Sequence, residues 1–132
     1  MEVIKAWEMP GETISEPFKR HIKVMLAPDV NDVPEITYSY AIIYPNSKTD
    51  YHNHDRPELI QILSGRGIAV CGDEEIPVEP DMALWVRAGE WHQMINTGDE
   101  SMKLATVFVP GYTSEENLSR IRDAAAEANK KT

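Results

Sequence analysis

At 132 residues with 42% apolar side chains, the chain can build one domain with its own core and needs no covalent staple. A formal charge of −9 makes nucleic acid and anionic membrane surfaces poor partners, because their phosphates would be repelled. No apolar run approaches membrane-spanning length, and Glu2 and Glu8 interrupt any leader-like apolar core at the start. Cys71 is alone, so no internal disulfide can form, which suits a reducing cytoplasm. With Asp73, Glu74 and Glu75 beside it, Cys71 reads as a small hairpin-end residue rather than an activated thiol.

Taken in chain order, residues 1–34 hold the short β-prone runs Val3-Ile4 and His21 to Leu26, separated by a loop with Pro10, Gly11 and Pro17. His21 reads as a surface or strand-face residue. Ile36 to Tyr44 is a β-branched and aromatic strand closed by Pro45-Asn46. Its period of two puts Tyr38, Tyr40, Ile42 and Tyr44 on one face and Ser39, Ala41 and Ile43 on the other, leaving open which face is interior. Leu59 to Leu63 is a strand ending in a turn at Ser64 to Gly67. Gly67 to Cys71 and Glu75 to Val78 form a hairpin, and strands follow at Met82 to Val86, Trp91 to Asn96 and Met102 to Val109. Only the tail is helical: Thr113 and Glu116 form a capping box, and Leu118, Ile121, Ala125 and Ala128 give one weakly apolar face. Many short strands with one terminal helix indicate a small all-β sandwich or barrel.

The segment His52-Asn53-His54-Asp55-Arg56-Pro57-Glu58 carries the chemistry. Two histidines at i and i+2 share one face of an extended chain, whereas on a helix they would diverge. Glu58 keeps the even spacing, with Pro57 bending the segment. Two neutral imidazoles and a carboxylate converging on a point suit a divalent transition metal. A solvated turn at a strand end is the competing reading of an isolated His-x-His. His92, in a second turn-bounded segment, weighs against it.

Asn46, His52, His54, Glu58 and Gly65 fall at the spacing of the first cupin motif, Gly-x5-His-x-His-x3-4-Glu-x6-Gly, with Asn46 in place of its leading Gly. Gly89, His92 and Asn96 fit the second motif, Gly-x5-Pro-x-Gly-x2-His-x3-Asn, with Asp81 and Arg87 replacing its first Gly and its Pro. The chain thus resembles the cupin superfamily over roughly residues 35–110. Asn is the non-Gly residue that best tolerates a left-handed backbone, so the departure at Asn46 is mild. The resemblance implies a double-stranded β-helix, a jelly-roll barrel spanning 35–110. Residues 1–34 would join the barrel or a dimer interface, and 111–132 would form a C-terminal helix. It also implies one divalent metal (iron, manganese, nickel, copper or zinc) on His52, His54, Glu58 and His92, and a homodimer, since small barrels of this family commonly pair.

Alternation from Glu58 and His92 points Ile60, Ile62, Met94 and Asn96 inward, so a substrate would sit on an apolar floor. Arg87 is a candidate clamp for a substrate carboxylate or phosphate, with a surface ion pair as its alternative. Tyr40 or Tyr44 could act as acid or base if their face is the inward one. Asp55 and Arg56 either orient an imidazole or belong to a solvated loop. Trp85 and Trp91 read as packing residues. The function expected is a metal-dependent enzyme of isomerase, lyase or dioxygenase type, acting on a small oxygen-rich molecule such as a sugar derivative or a hydroxy or keto acid. A non-catalytic metal-containing sensor or small-ligand binding module is the alternative.

Overall fold

The computed structural model describes residues 1–131. Runs of β-branched and aromatic residues cut by Gly, Pro, Asn and Asp fold into nine strands among the described residues. These are β1 (Glu12–Ile14), β2 (Arg20–Leu26), β3 (Thr37–Ile43), β4 (Glu58–Ser64), β5 (Gly67–Cys71), β6 (Glu74–Val78), β7 (Ala83–Val86), β8 (His92–Asn96) and β9 (Met102–Phe108). One sheet has the order β1-β2-β3-β9-β4-β7 and the other β6-β5-β8, with each pair of neighbours antiparallel. The fold is a double-stranded β-helix with one C-terminal helix, α1 (Ser114–Lys130).

Alternation sets the core. In β4, Glu58, Ile60 and Ile62 are buried while Leu59, Gln61 and Leu63 face out. Ile43, Ile60, Ile62, Met94, Met102 and Leu104 then meet between the sheets. A second cluster forms where Ile121 and Ala125 of α1 cover Ile14, Ile22 and Val24. Thr113 caps α1 as its sequence predicts: its Oγ1 accepts from the Glu116 N–H at 3.1 Å, and Glu116 Oε1 accepts from the Thr113 N–H at 3.0 Å.

In the first half of the chain one expectation is corrected and one open choice is settled. Val3-Ile4 forms no strand, and Val3 is largely exposed; the leading strand is β1, inside the segment expected to be a loop. Ile14 explains the change, because it is buried beneath α1 and draws its neighbours into register with β2. In β3 the interior face is that of Thr37, Ser39 and Ile43, not the tyrosine face. Tyr40 and Tyr44 lie on the other side, under the ammonium groups of Lys103 and Lys19 at 4.4 and 4.9 Å. Small Ser39 and Ala41 on the inner face leave room for a cavity that phenol rings would fill.

Both motif glycines that the sequence replaces stand at left-handed positions: Asn46 has φ 60° and Asp81 φ 76°. The retained Gly65 and Gly89 have φ 81° and 84°. They differ in their surroundings. A Cβ on Gly65 would lie 2.6 Å from the Ser101 carbonyl oxygen and 2.7 Å from Met102 Cα, whereas Gly89 has nothing within 4 Å. Gly89→Ala should therefore cost only the backbone term, roughly 1–2 kcal/mol. Gly65→Ala should add overpacking against β9, for roughly 2–5 kcal/mol in all. Urea denaturation of the two variants compares them directly.

Candidate metal centre

The residues His52, His54, Glu58 and His92 come from two segments that the backbone ties together. The N–H of His52 donates to the His92 carbonyl at 3.0 Å, and the N–H of His92 donates to the His52 carbonyl at 2.8 Å. The Gly89 N–H donates to the His54 carbonyl at 2.8 Å, anchoring the turn before β8 against the His-x-His segment. Glu58 opens β4 and His92 opens β8, so both side chains enter at the same end of the barrel. One ligand atom from each of the four residues lies within 4.8 Å of all the others. His54, Glu58 and His92 are buried and His52 is half-buried.

The tautomers follow from the outer contacts. A carbonyl can only accept, so His52 Nδ1 donates to the Asp50 carbonyl at 2.8 Å and His92 Nδ1 donates to the Glu90 carbonyl at 2.9 Å. In the neutral ring this leaves Nε2 as a lone pair. His92 Nε2 faces Glu58 Oε1 at 3.2 Å, His54 Nε2 faces the same oxygen at 3.7 Å, and His54 Nε2 is buried with no hydrogen-bond partner. Acceptors aimed at an acceptor repel unless a cation lies among them. The donor set therefore fits a first-row divalent ion, with imidazole and carboxylate as its ligands.

Protonation agrees with that use. Burial, with the Arg120 charge adding to it, pulls the His52 pKa down to about 3. Burial and the positive groups around it pull His54 down to about 2. Burial also acts on His92 in the same sense, but its hydrogen bonds to Glu58 and the Glu90 carbonyl outweigh it and the net shift is upward. His92 is thus the place where a proton stands in for a metal.

Outside the four lies a group that the motifs do not contain. Asp50 is buried, and Arg20 Nη2 donates to its Oδ1 at 3.3 Å while Arg120 Nη1 donates to its Oδ2 at 2.9 Å. Burial would push the Asp50 carboxyl up; the positive charges around it, those of Arg120 and Arg20 among them, hold it below the usual range. Arg20 and Arg120 also line a cavity of about 60 Å³ that the histidines border, with Ile60 and Met94 on its floor. Ile62 lies deeper, fully buried in the core. Sequence reasoning passed over both arginines, although a signal was present. Arg20 is in phase with Ile22 and Val24 on β2, and Arg120 adjoins the buried stripe of Asn117, Ile121 and Ala125 on α1. A cation on an apolar phase is the mark of a buried charge with a partner.

The other candidates fall elsewhere. Arg87 has a side chain 75% exposed, 4.0 Å from Glu90, on the rim of a separate cleft of about 410 Å³ that reaches Ile60, His92 and Met94 from the far side. Asp55 and Arg56 touch no imidazole. Arg56 lies over the Tyr112 ring at 3.7 Å and donates to the Gly111 carbonyl at 2.9 Å, while the Tyr112 hydroxyl donates to Asp55 at 2.5 Å. Together they fasten the histidine segment to the end of β9, where Phe108 meets His54 edge-on at 4.6 Å. Trp85 and Trp91 are each 51% exposed rather than packed inside, and Trp91 stacks on Tyr51 at 5.6 Å. Cys71 Sγ is 3.6 Å from Glu90, and burial together with that carboxylate raises the thiol pKa.

The depressed histidines set a pH dependence for the chelator-treated protein. Below the free-imidazole value of 6.5 the unfolded chain takes up protons that folded His52 and His54 refuse until about 3 and 2. Stability should fall as pH drops below 6.5, by up to about 1.4 kcal/mol per pH unit for each residue. His92 acts oppositely: its contribution is full below 6.5 and is lost as pH rises through its raised value. The two windows do not overlap, so urea midpoints should decline from about pH 6.5 to about pH 5, and His54→Gln should flatten that decline.

The comparisons accord with this geometry. A model described as "Cupin domain" matches residues 39–109, more than half of the chain. An uncharacterized protein of Bacillus subtilis (strain 168), YrkC, is 36% identical over 59 residues, covering 40% of this chain; the match spans 32% of that protein's length. Among solved structures, a predicted oxalate decarboxylase from Thermotoga maritima has a TM-score of 0.75 at 20% identity, covering 83% of this chain and 99% of that one. The polyketide cyclase RemF from Streptomyces resistomycificus has a TM-score of 0.72 at 17% identity, covering 95% and 98%. A sugar phosphate isomerase of the cupin superfamily from Silicibacter pomeroyi has a TM-score of 0.68 at 15% identity, covering 82% and 75%. At these identities the structural likeness shows a shared fold, and the family match over residues 39–109 goes further: this chain is a member of the cupin family.

Proposed function

We propose that this protein is a metal-dependent enzyme acting on a small oxygen-rich molecule at the His52, His54, Glu58 and His92 cluster. One observation carries the reading: the Nε2 atoms of His54 and His92 and one Glu58 oxygen are turned on one another in a buried site, and His54 Nε2 has no hydrogen-bond partner. A metal bound there would act as a Lewis acid toward a substrate oxygen and leave coordination positions open to it. This chain's own residues do the rest. Asp50 and the backbone carbonyls orient His52 and His92, Ile60 and Met94 exclude water from the floor, and Thr106 and Ser39 offer hydroxyls to the cavity. Isomerase, lyase and dioxygenase chemistries use such a set. That relatives of the same fold are described as a decarboxylase, a cyclase and an isomerase supports an enzymatic reading over a sensor without choosing among reactions.

Elemental analysis of protein purified without chelator or a His-tag tests this. The wild type should carry about one transition-metal ion per chain, and His54→Ala should carry far less, since losing one ligand of four costs more than the 10–100-fold that loss of a supporting contact costs. Equal metal in both, or none in either after supplementation, rejects the site.

We further propose a homodimer, for which the outer face of β4 and β7 is the support. Leu59 is paired with Trp85 there, Leu63 lies two residues on from Gln61, and the three apolar side chains are 37%, 51% and 37% exposed. Sedimentation should give twice the 14.9 kDa chain mass at micromolar concentration, and Trp85→Glu should return it to one.

A further inference from the structure

The cavity beside the histidines has a second wall that metal binding does not use. Arg20 is 3% exposed and Arg120 reaches in from α1, and both converge on Asp50. Two guanidinium groups against one carboxylate leave a surplus positive charge, and burial lowers Arg20 only to about 10, so it stays protonated at neutral pH. Arg120 Nε is buried with no hydrogen-bond partner, and so is the hydroxyl of Ser39 across the same cavity. A buried donor left unmatched is costly, and two at one cavity mark a place where an acceptor is missing. Neither Arg20 nor Arg120 lies in the segment 39–109 that carries the family match, so this wall is a feature of the flanking strand and helix.

Charge counting narrows the acceptor. Arg20 and Arg120 balance Asp50 and Glu58, and the histidines are neutral apart from any proton on His92. A bound dication would therefore leave about two positive charges in a pocket of a chain whose formal charge is −9. A neutral sugar would leave that charge uncompensated. The cavity itself is small, about 60 Å³.

We propose that the site is built for a small carboxylic acid bearing a second oxygen function, whose carboxylate is received by Arg120 and whose other oxygen faces the four-residue cluster. This rests on the metal reading above for the second oxygen and for the surplus charge, and on the unmatched Arg120 Nε for the place of the carboxylate. Arg20, through Asp50, is a positioning residue: it holds the carboxylate that aligns Arg120 and His52.

The test is calorimetry on the full chain, metal-free and cobalt(II)-loaded, with lactate, pyruvate and malonate as probes and the neutral amides of the same acids as controls. Wild type should take at least one acid and prefer it to its amide by roughly 10- to 100-fold, the scale of a charge-assisted hydrogen-bond pair. Arg120→Gln should lose that preference while keeping its cobalt content. Arg122→Gln, which removes the same charge on the same helix but pairs with Glu12 and Glu115, should keep the preference. Equal affinity for acid and amide in the wild type, or no acid bound, overturns the proposal and needs no variant. Undiminished preference in a folded Arg120→Gln overturns it too. Failure of the metal reading looks different: no cobalt is retained, yet acid binding to the metal-free protein still depends on Arg120.

Discussion

Acceptor atoms pointed at acceptor atoms are the constraint on which the rest of this molecule turns. His52 and His92 are each tied through Nδ1 to a backbone carbonyl, so Nε2 is the atom that each turns inward, and Glu58 offers only oxygen in return. Such a cluster is suited to a cation. Everything nearby serves to hold it in that state: the reciprocal backbone bonds between His52 and His92, the Gly89 anchor on His54, and the left-handed turns that bring each segment to the same end of the barrel.

The site is a polar island at the edge of an apolar core. Ile60 and Met94 separate it from the fully buried Ile43, Ile62 and Met102, so the same residues that stabilise the fold keep water from the cluster. Dryness keeps His52 and His54 unprotonated and strengthens every charge interaction around them. On the opposite side the wall is not core but added structure: β2 and α1 contribute Arg20, Asn117 and Arg120. The barrel supplies the ligands, and the elements outside the family segment supply the charge that a substrate would meet.

Much of this was legible in the chain. His52 and His54 sharing a face, the inward phase of Ile60, Ile62 and Met94, and the capping box of α1 all follow from periodicities of two and of three to four, which the backbone enforces locally. Asn46 in the left-handed region was legible for the same reason, as a property of one residue type in one turn. Non-local facts were not. Which face of β3 turns inward depends on what β2 and β9 pack against, and each face carries bulky side chains, Tyr38 and Tyr40 on one and Ile43 on the other. Three-residue β1 is set by burial of Ile14 under a helix more than a hundred residues away in sequence, a contact no local pattern encodes. Arg20 and Arg120 announce themselves only as cations on apolar phases, and their meeting at Asp50 is purely tertiary.

The Tyr51–Trp91 stack gives the site an outward-facing counterpart. Tyr51 precedes His52 and Trp91 precedes His92, and the two histidines are joined by reciprocal backbone bonds, so the aromatic pair spans the same bridge from the solvent side. Any change in the separation of the two segments that spreads the inner imidazoles must also shear the indole against the phenol. Trp91 is half exposed, so once Trp7 and Trp85 are replaced by Phe its fluorescence would report on the gap between the two segments without an added label. The protein carries its own optical gauge on the outer surface of its metal cradle.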